Sequence, residues 1–225
     1  MKIIKQTLSL KKHIKGLKNI SFIPTMGSLH AGHVSLIKKA HTLSKKDDKI
    51  LVSLFVNPKQ FNSKKDFISY PRNIKKDLKI LKKLKIDILF LPSKKEIYSF
   101  KTKNRIYIDK IGNKLCGKFR PGHFKGVVNV VNRFIEIIKP KVILLGKKDY
   151  QQLYLIKKHF LINRINTKVI SCKTIRNSCG LALSSRLSNL NNIEIKLACK
   201  IINMIKKEKE KIKKIKKYKI NLKKL

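Results

Sequence analysis

ISFIPTMGSLHAGH, residues 20–33, joins a short apolar run to a glycine turn and then to the start of a second apolar pattern. The run Ile20–Pro24 predicts a strand that ends at a proline. From Gly32 onward the apolar residues recur at helical spacing, which predicts a helix. The stretch therefore predicts a strand, a tight turn and a helix in direct succession.

The same alternation continues along the chain, because further apolar runs are separated by helical patterns. The predicted strands are Ile20–Pro24, Ile50–Val56, Asp87–Leu91, Val142–Leu145 and Lys168–Ser171, with a small edge strand at Arg105–Ile108. The predicted helices after the one that begins near Gly32 are Asn73–Leu84, Val127–Ile138 and Asp149–Ile162. Alternating strands and helices predict an α/β fold, a parallel sheet with helices on both faces.

The character of the sequence changes near its end. Ile193–Ile215 is one long helical pattern, and residues 206–224 contain 11 Lys and 2 Glu. We expect one domain over residues 1–190 and a Lys-rich C-terminal helix or tail over residues 191–225, either lying on the domain or partly disordered.

The chain has 225 residues and a formal net charge of +44, which first suggests a nucleic-acid partner. The basic residues are 49 Lys and only 7 Arg, although Arg is the better fork for phosphate and base edges. The Lys are spread over the whole chain. This distribution favours solvated Lys on helix faces, with only non-specific, salt-sensitive binding to polyanions.

Hydropathy and cysteine usage indicate the compartment. No apolar run approaches the roughly 18 residues that a membrane helix needs, and the N-terminus has no signal-peptide core. The four Cys residues form no CxxC pair, so we expect unpaired thiols, no disulfide scaffold and no zinc site. These features predict a cytoplasmic protein.

His30 and His33 are three residues apart at the start of the predicted helix, so both can face one ligand. Backbone N–H groups and the helix dipole add positive potential at that place. The alternative is that the two side chains only cap a turn. Two imidazoles beside a helix N-terminus favour a polyphosphate site.

Further polar clusters follow other predicted strands, where ligands of parallel sheets bind. Asn57 and Gln60 offer neutral amides that suit hydroxyl and carboxylate groups, unless they form a plain Asn-Pro turn. Lys148 follows the strand Val142–Leu145 and is able to neutralise phosphate, and Gln152 points to the same side. Arg120 either contacts an anion or belongs to a loop that shapes the pocket.

Several boxes in order along the chain resemble one family. They are PTMGSLHAGH from Pro24, FVNPKQF from Phe55, YPR from Tyr70, RPGHFKGV from Arg120, GKKDYQQ from Gly146 and SSR from Ser184. Together they are similar to the pantothenate synthetase (pantoate–β-alanine ligase) family. The His30-Ala31-Gly32-His33 box alone also resembles the wider HxGH nucleotidylyltransferase superfamily, whose fold is Rossmann-like. The resemblance covers about Ile20 to Leu190.

The resemblance implies ATP-dependent condensation of (R)-pantoate with β-alanine to pantothenate, AMP and diphosphate through a pantoyl adenylate. It implies catalytic roles for His33, His30 and Lys148, with His33 as the proton donor. It assigns pantoate and β-alanine to Gln60, Gln152 and Asn57. The implied ATP-binding residues are Met26, Gly27, Ser28, Leu29, His30, Ala31, Gly32, His33, Gly146, Lys147, Lys148, Asp149, Ile175, Leu183, Ser184, Ser185 and Arg186. Mg²⁺ is expected on the phosphates without a protein metal cage, and a homodimer is expected.

Two departures from the family pattern modify this expectation. Lys147 stands where the family commonly has Glu, which affects a small part of the site. The strands of the family's smaller C-terminal domain, which closes over the site, are not evident, and for this reason we expect a reduced turnover. The open alternatives are a degenerate, weakly active or inactive homologue, another HxGH adenylyl-transfer enzyme, and a nucleic-acid-binding protein built on a decayed enzyme.

Overall fold

The computed structural model describes the backbone of residues 1–222 and the side chains of residues 1–213. It divides into two compact units, Met1–Thr174 and Ile175–Leu225. The predicted domain boundary after residue 190 stays a prediction.

The first unit is built on a six-stranded sheet in which all paired strands are parallel. Its strands are β1 (Lys2–Ile4), β2 (Ile20–Thr25), β3 (Lys49–Leu54), β4 (Ile88–Phe90), β5 (Val142–Gly146) and β6 (Lys168–Cys172). Their order across the sheet is β1-β4-β3-β2-β5-β6. The predicted parallel sheet is confirmed.

Eight helices belong to this unit, within the residues that the structure describes. They are α1 (Thr7–Ile14), α2 (Ala31–Leu43), α3 (Lys64–Ser69), α4 (Ile74–Lys83), α5 (Lys94–Tyr98), α6 (Cys116–Phe119), α7 (His123–Ile138) and α8 (Tyr150–Ile162). Short 3₁₀ turns cover Pro58–Gln60, Lys110–Asn113 and Lys147–Asp149.

Two apolar cores lie on the two faces of the sheet. One contains Leu10 of α1 and most of α7 and α8, and the other contains Leu36 and Ile37 of α2 with Leu81 of α4. The strand run Ile50–Leu54 is fully apolar except for Ser53, as expected of a strand covered on both faces. Helix α7 is buried over most of its surface, which the apolar residues at most of its positions explain.

The middle of the sheet opens at the carboxyl ends of β2 and β5. The β2–β3 ladder runs from Ile20 to Thr25, but β2 pairs with β5 only at Ser21 and Phe22. Ile20 accepts a backbone hydrogen bond from the β5 side, and by alternation Pro24 also faces that side, where it has no N–H to donate. Strand order reverses here, so this is the place where such sheets bind ligands.

The second unit contains a loop closed by a bridge between Arg176 and Ala182, a 3₁₀ turn Ser185–Asn189 and the helix α9 (Asn192–Leu222). A disulfide joins Cys179 in the loop to Cys199 in α9. The expectation of four unpaired thiols is therefore wrong for this pair. Cys116 and Cys172 are free thiols, as expected.

The predicted edge strand Arg105–Ile108 is wrong, because this segment has no regular structure. The backbone N–H of Tyr107 donates to His159 Nδ1 at 3.3 Å instead of to a neighbouring strand. Ile106 and Ile108 still pack against the apolar core. The apolar residues of this segment are therefore buried without strand pairing. The edge strand β1 was not predicted.

Candidate active site

The loop between β2 and α2 is held by a buried carboxylate. Gly27 and Ser28 have φ values of 83° and 51°, in the left-handed region. Asp77, only 2% exposed on α4, accepts hydrogen bonds from the backbone N–H groups of Ser28 and Leu29, each at 2.8 Å. A charged acceptor shared by two amides fixes the loop in this unusual conformation.

His30 and His33 cap the N-terminus of α2. Gly32 N–H donates to His30 Nδ1 at 3.1 Å, and His30 N–H donates to His33 Nδ1 at 3.3 Å. The two rings lie 4.2 Å apart between centroids. A Cβ on Gly32 would lie 2.7 Å from the His30 ring, so any larger residue would displace that ring.

This capping determines what the two imidazoles can offer a ligand. When Nδ1 accepts a hydrogen bond in a neutral imidazole, the proton is on Nε2. Both rings therefore carry an Nε2–H donor. The turn-capping role and a ligand-binding role are compatible, because they use different nitrogens.

Both histidines are neutral near pH 7. Burial, followed by the charges of His30 and Lys148, lowers the pKa of His33 to about 3. Burial and then the charge of Lys148 also lower the pKa of His30, opposed by Asp149. At neutral pH His33 is thus a hydrogen-bond donor and not an imidazolium, and its expected role as proton donor stays a prediction.

The β5–α8 connection brings a cation to the same place. Lys148 lies in the 3₁₀ turn that follows β5, and its Nζ contacts Asp149 Oδ1 at 2.9 Å. Its charge acts on both histidines. Gly146 ends β5, Lys147 is exposed in the same turn, and Gln152 lies partly buried in the first turn of α8.

Asn57 and Gln60 lie together after β3. The side chain of Asn57 caps the 3₁₀ turn Pro58–Gln60, and its Nδ2 donates to Gln60 Oε1 at 3.2 Å. Gln60 Nε2 in turn reaches Met26 Sδ in the β2–α2 loop at 3.0 Å. The predicted substrate amides therefore contact the predicted nucleotide loop directly.

The RPGHFKGV segment contacts the backbone carbonyl of Gln60. His123 Nδ1 lies 2.6 Å from the Gln60 carbonyl oxygen, and Arg120 contacts the same oxygen at 3.4 Å and His123 Nε2 at 3.2 Å. A Cβ on Gly126 would lie 2.2 Å from Lys59 O, so α7 packs directly on this backbone. These contacts favour the pocket-shaping interpretation of Arg120.

The remaining predicted ATP residues lie in the second unit. Leu183 N–H donates to Ile175 O at 3.0 Å, and Ser184 Oγ accepts from Arg186 N–H at 3.4 Å as the cap of the 3₁₀ turn. Ser185 is buried and Arg186 is exposed. Their assignment to the phosphates stays a prediction.

Asp77, which holds the nucleotide loop, was not predicted from the sequence, and His123 had no predicted role. Asp77 carried a signal, since it interrupts the apolar face of an amphipathic helix between Ile74 and Leu81. A carboxylate at such a position needs buried hydrogen-bond donors. The motif around His123 gave no indication of its partner, because the Gln60 carbonyl is distant in sequence.

Metal-binding clusters and membrane-spanning helices are both absent from the part of the chain that the structure describes. Among those residues, no three His, Cys, Asp or Glu side chains cluster as a metal site would require. Within the same part of the chain, no helix combines the length and the apolar character needed to cross a bilayer.

Comparison with known proteins identifies relatives that match most of the chain. The sequence model of a family described as pantoate-beta-alanine ligase matches residues 2–224. Pantothenate synthetase of Francisella tularensis subsp. novicida (strain U112) is 45% identical over 206 residues, which are 91% of this chain and 78% of that protein.

Solved structures agree with the sequence comparison. A crystal structure of pantoate-beta-alanine ligase from Francisella tularensis, complexed with beta-gamma ATP and beta-alanine, superposes with a TM-score of 0.85 at 44% identity and covers 92% of this chain and 79% of that one. Pantothenate synthetase from Thermus thermophilus superposes with a TM-score of 0.82 at 32% identity, covering 88% of this chain and 71% of that one.

Proposed function

Because the chain belongs to the pantoate-β-alanine ligase family, we infer that it joins pantoate to β-alanine in a reaction driven by ATP. In the first step the pantoate carboxylate attacks the α-phosphorus of ATP, which releases diphosphate and leaves pantoyl adenylate. In the second step the β-alanine amine attacks the acyl carbon. The amide bond forms, AMP leaves with the former carboxylate oxygen, and the amine loses a proton.

The observation that carries this proposal is the direct contact between the two predicted half-sites. Gln60 Nε2 lies 3.0 Å from Met26 Sδ, so the amides that would hold pantoate adjoin the loop that would hold ATP. Attack of a carboxylate on a phosphate requires such proximity, and holding both reactants in place supplies a large part of the acceleration.

The charge balance of the site also supports the proposal. Negative charge builds up on the α-phosphate in both steps, and preorganised donors and cations stabilise such charge. The Nε2–H groups of His30 and His33 and the ammonium of Lys148 supply them without protonating either ring. Neutral rings keep their donor geometry near pH 7.

The second unit contributes a further proposed group of phosphate ligands. Ser184, Ser185 and Arg186 offer hydroxyl and guanidinium donors suited to the β- and γ-phosphates, with Ile175 and Leu183 beside adenine. Gly146, Lys147 and Asp149 would complete the nucleotide site, and Gln152 the pantoate site. Support comes from the family pattern at these positions.

Mg²⁺, a homodimer and a cytoplasmic location belong to the same proposal. Asp149 is paired with Lys148, so the ATP phosphates and water would supply most Mg²⁺ ligands, as is usual for this ion. Bound Mg²⁺ would neutralise the leaving diphosphate.

Leu115 and Phe119, exposed by 66% and 80%, are apolar side chains that a second subunit could cover. The availability of ATP is what supports a cytoplasmic location, because the Cys179–Cys199 disulfide is not typical of that reducing compartment.

The test is an assay for pantothenate from ATP, pantoate and β-alanine, run beside the Lys148→Ala variant. We expect pantothenate and AMP in equal amounts, and a fall in kcat of about 100-fold for Lys148→Ala. Lys157→Ala, an exposed Lys on α8, is the matched control and should keep full activity. AMP formed at the same rate without pantoate would overturn the proposal in favour of another adenylyl transfer.

A further inference from the structure

The Asn57 side chain is only 1% exposed, and each of its polar groups is hydrogen-bonded within the protein. Its Oδ1 accepts from Lys59 N–H at 3.2 Å and from the Tyr98 hydroxyl at 2.8 Å. Its Nδ2 donates to Gln60 Oε1 and to Gly126 O, each at 3.2 Å. The carboxamide thus makes four hydrogen bonds, which is its full capacity.

These partners allow one orientation of the Asn57 amide. Rotating it by 180° would place its NH₂ group against the Lys59 N–H and its oxygen against the Gly126 carbonyl. In this orientation two donors would face each other at Lys59 and two acceptors would face each other at Gly126. Buried groups left without a hydrogen bond in this way cost free energy. The orientation is thus fixed by the Lys59 N–H and the Gly126 carbonyl, whereas the Tyr98 hydroxyl, at the shortest of the four distances, holds the carboxamide in place.

The orientation is passed on to Gln60. Because Asn57 offers an NH₂ group, Gln60 must turn its Oε1 towards it, and its own NH₂ group then points to the β2–α2 loop. The acceptor that it finds there is the Met26 thioether, at 3.0 Å. A thioether is a weak acceptor, so a carboxylate or hydroxyl oxygen would replace it favourably.

Tyr98 is itself held in place. The Arg133 guanidinium lies 4.7 Å and the Lys59 ammonium 4.1 Å from the centre of its ring. Arg133 also donates to Ile97 O at 3.0 Å and Phe100 O at 2.7 Å, on either side of Tyr98. Burial raises the pKa of Tyr98 to about 12, so its hydroxyl keeps the proton that it donates to Asn57 Oδ1.

We propose that Tyr98 is a positioning residue for substrate recognition: its hydroxyl holds the Asn57 carboxamide in the place from which Asn57 turns the Gln60 Nε2–H₂ donor, and not the Gln60 carbonyl, towards an oxygen acceptor of the acid substrate. The proposal rests on the proposed function, in which that acid is pantoate. It assigns a role in selectivity to a side chain outside the sequence boxes that resemble the family.

The first test compares Tyr98→Phe with Tyr154→Phe. Phenylalanine keeps the ring but removes the hydroxyl. Tyr154 is the matched control, because it is also partly buried against the core with a Lys ammonium 5.8 Å from its ring centre. Tyr98→Phe should raise the KM for pantoate about 10-fold and leave the KM for ATP within about twofold, and Tyr154→Phe should change neither. Equal changes in both KM values would overturn the proposal.

A double-mutant cycle then tests whether Tyr98 acts through Asn57. In an Asn57→Ala background, Tyr98→Phe should change the KM for pantoate by less than about twofold. A full additional 10-fold effect would show that Tyr98 acts by another route. It would contradict the relay, by which we mean the path from Tyr98 through Asn57 to Gln60.

A readout independent of catalysis separates this proposal from the proposed function. The side-chain NH₂ signals of Gln60 in a ¹⁵N NMR spectrum, assigned from their loss in Gln60→Glu, should shift in Tyr98→Phe and stay in place in Tyr154→Phe. Unshifted Gln60 signals in Tyr98→Phe would overturn the relay. If the unaltered chain made no pantothenate, the proposed function would fall, while these spectra would still decide the relay.

Discussion

Asp77 supports the nucleotide loop from another element of the chain. It holds two consecutive backbone amides while Gly27 and Ser28 adopt left-handed φ values. The loop geometry therefore depends on a carboxylate 48 residues away from the amide of Leu29. A change at this carboxylate should affect both the stability of the fold and the binding of ATP.

Asp77→Asn keeps the size of the side chain but replaces one acceptor oxygen by an NH₂ group. One loop amide then loses its partner, so we expect a loss of about 1–3 kcal/mol in the free energy of unfolding and a higher KM for ATP. Urea denaturation and steady-state kinetics measure the two effects. Asp47→Asn, at an exposed position, is the control. An unchanged KM for ATP would show that Asp77 does not set the loop geometry.

The buried histidines predict acid sensitivity. Burial lowers the pKa of His33 to about 3 and, as the larger of two opposed causes, that of His159 to about 4, from an ordinary 6.5. Between these values and 6.5 the unfolded chain binds more protons than the folded one, so stability falls as the pH is lowered through this window.

Urea midpoints at pH 7.5 and pH 5.5, values on the two sides of about 6.5, measure this effect. The midpoint should be lower at pH 5.5. His159→Gln can still donate to Asn132, which His159 contacts at 3.0 Å, and should make the difference between the two midpoints smaller. Equal midpoints for the unaltered chain at both pH values would contradict the assignment of neutral buried imidazoles.

At the scale of elements, α7 sets the position of the Gln60 turn. The start of this helix packs so closely on residues 59 and 60 that a methyl group on Gly126 would collide with Lys59 O. The contact explains why a glycine occurs inside a helix, where it usually costs about 1 kcal/mol relative to Ala.

Gly126→Ala should therefore displace the turn and not simply strengthen the helix. We expect the KM for pantoate to rise about 10-fold with little change in the KM for ATP. Lys125→Ala, the exposed neighbour on the same helix, should leave both values unchanged. Steady-state kinetics with pantoate or ATP varied measure this difference. A Gly126→Ala variant that is more stable and has unchanged KM values would contradict the prediction.

The disulfide between the loop and α9 also makes an element-scale prediction. Cys179 and Cys199 are joined, whereas Cys116 and Cys172 are free. A thiol titration of the unfolded, unreduced chain should therefore find two reactive thiols, and titration after reduction should find four. Four thiols before reduction would contradict the pairing. In Cys199→Ser the released Cys179 should add one thiol to the unreduced count.

Local sequence patterns predict most strands of this fold but not the contacts between distant segments. The five strands from β2 to β6 were predicted from apolar runs, with bounds that shift by one or two residues. The three-residue strand β1 is too short to give a pattern. Arg105–Ile108 alternates like a strand, but its Tyr107 amide pairs with His159 instead.

In the candidate site, too, local sequence patterns predict individual residues but not the contacts between distant residues. His30, His33, Asn57, Gln60 and Lys148 could be named from sequence because their residue types and places after strands are local properties. The contacts made by Asp77, Tyr98 and His123 join distant positions, and no local pattern specifies such pairings. The Cys179–Cys199 pairing is a further example.

At the scale of the whole molecule, the sheet order explains why these parts meet. The β2–α2 loop and the β5–α8 turn follow neighbouring strands that stop pairing after Phe22, and the β3 loop adjoins them. The formal charge of +44 gives the chain as a whole a positive field that favours anionic substrates. At physiological salt that field is screened beyond about 8 Å, so the selectivity must come from the site itself.

The most direct measurement follows one oxygen atom through the reaction. Pantoate labelled with ¹⁸O at both carboxylate oxygens is incubated with the chain, ATP, Mg²⁺ and β-alanine, and the AMP is analysed by mass spectrometry. If the carboxylate attacks the α-phosphate at this site, AMP should carry one ¹⁸O for each pantothenate formed. Unlabelled AMP formed alongside pantothenate would contradict the account.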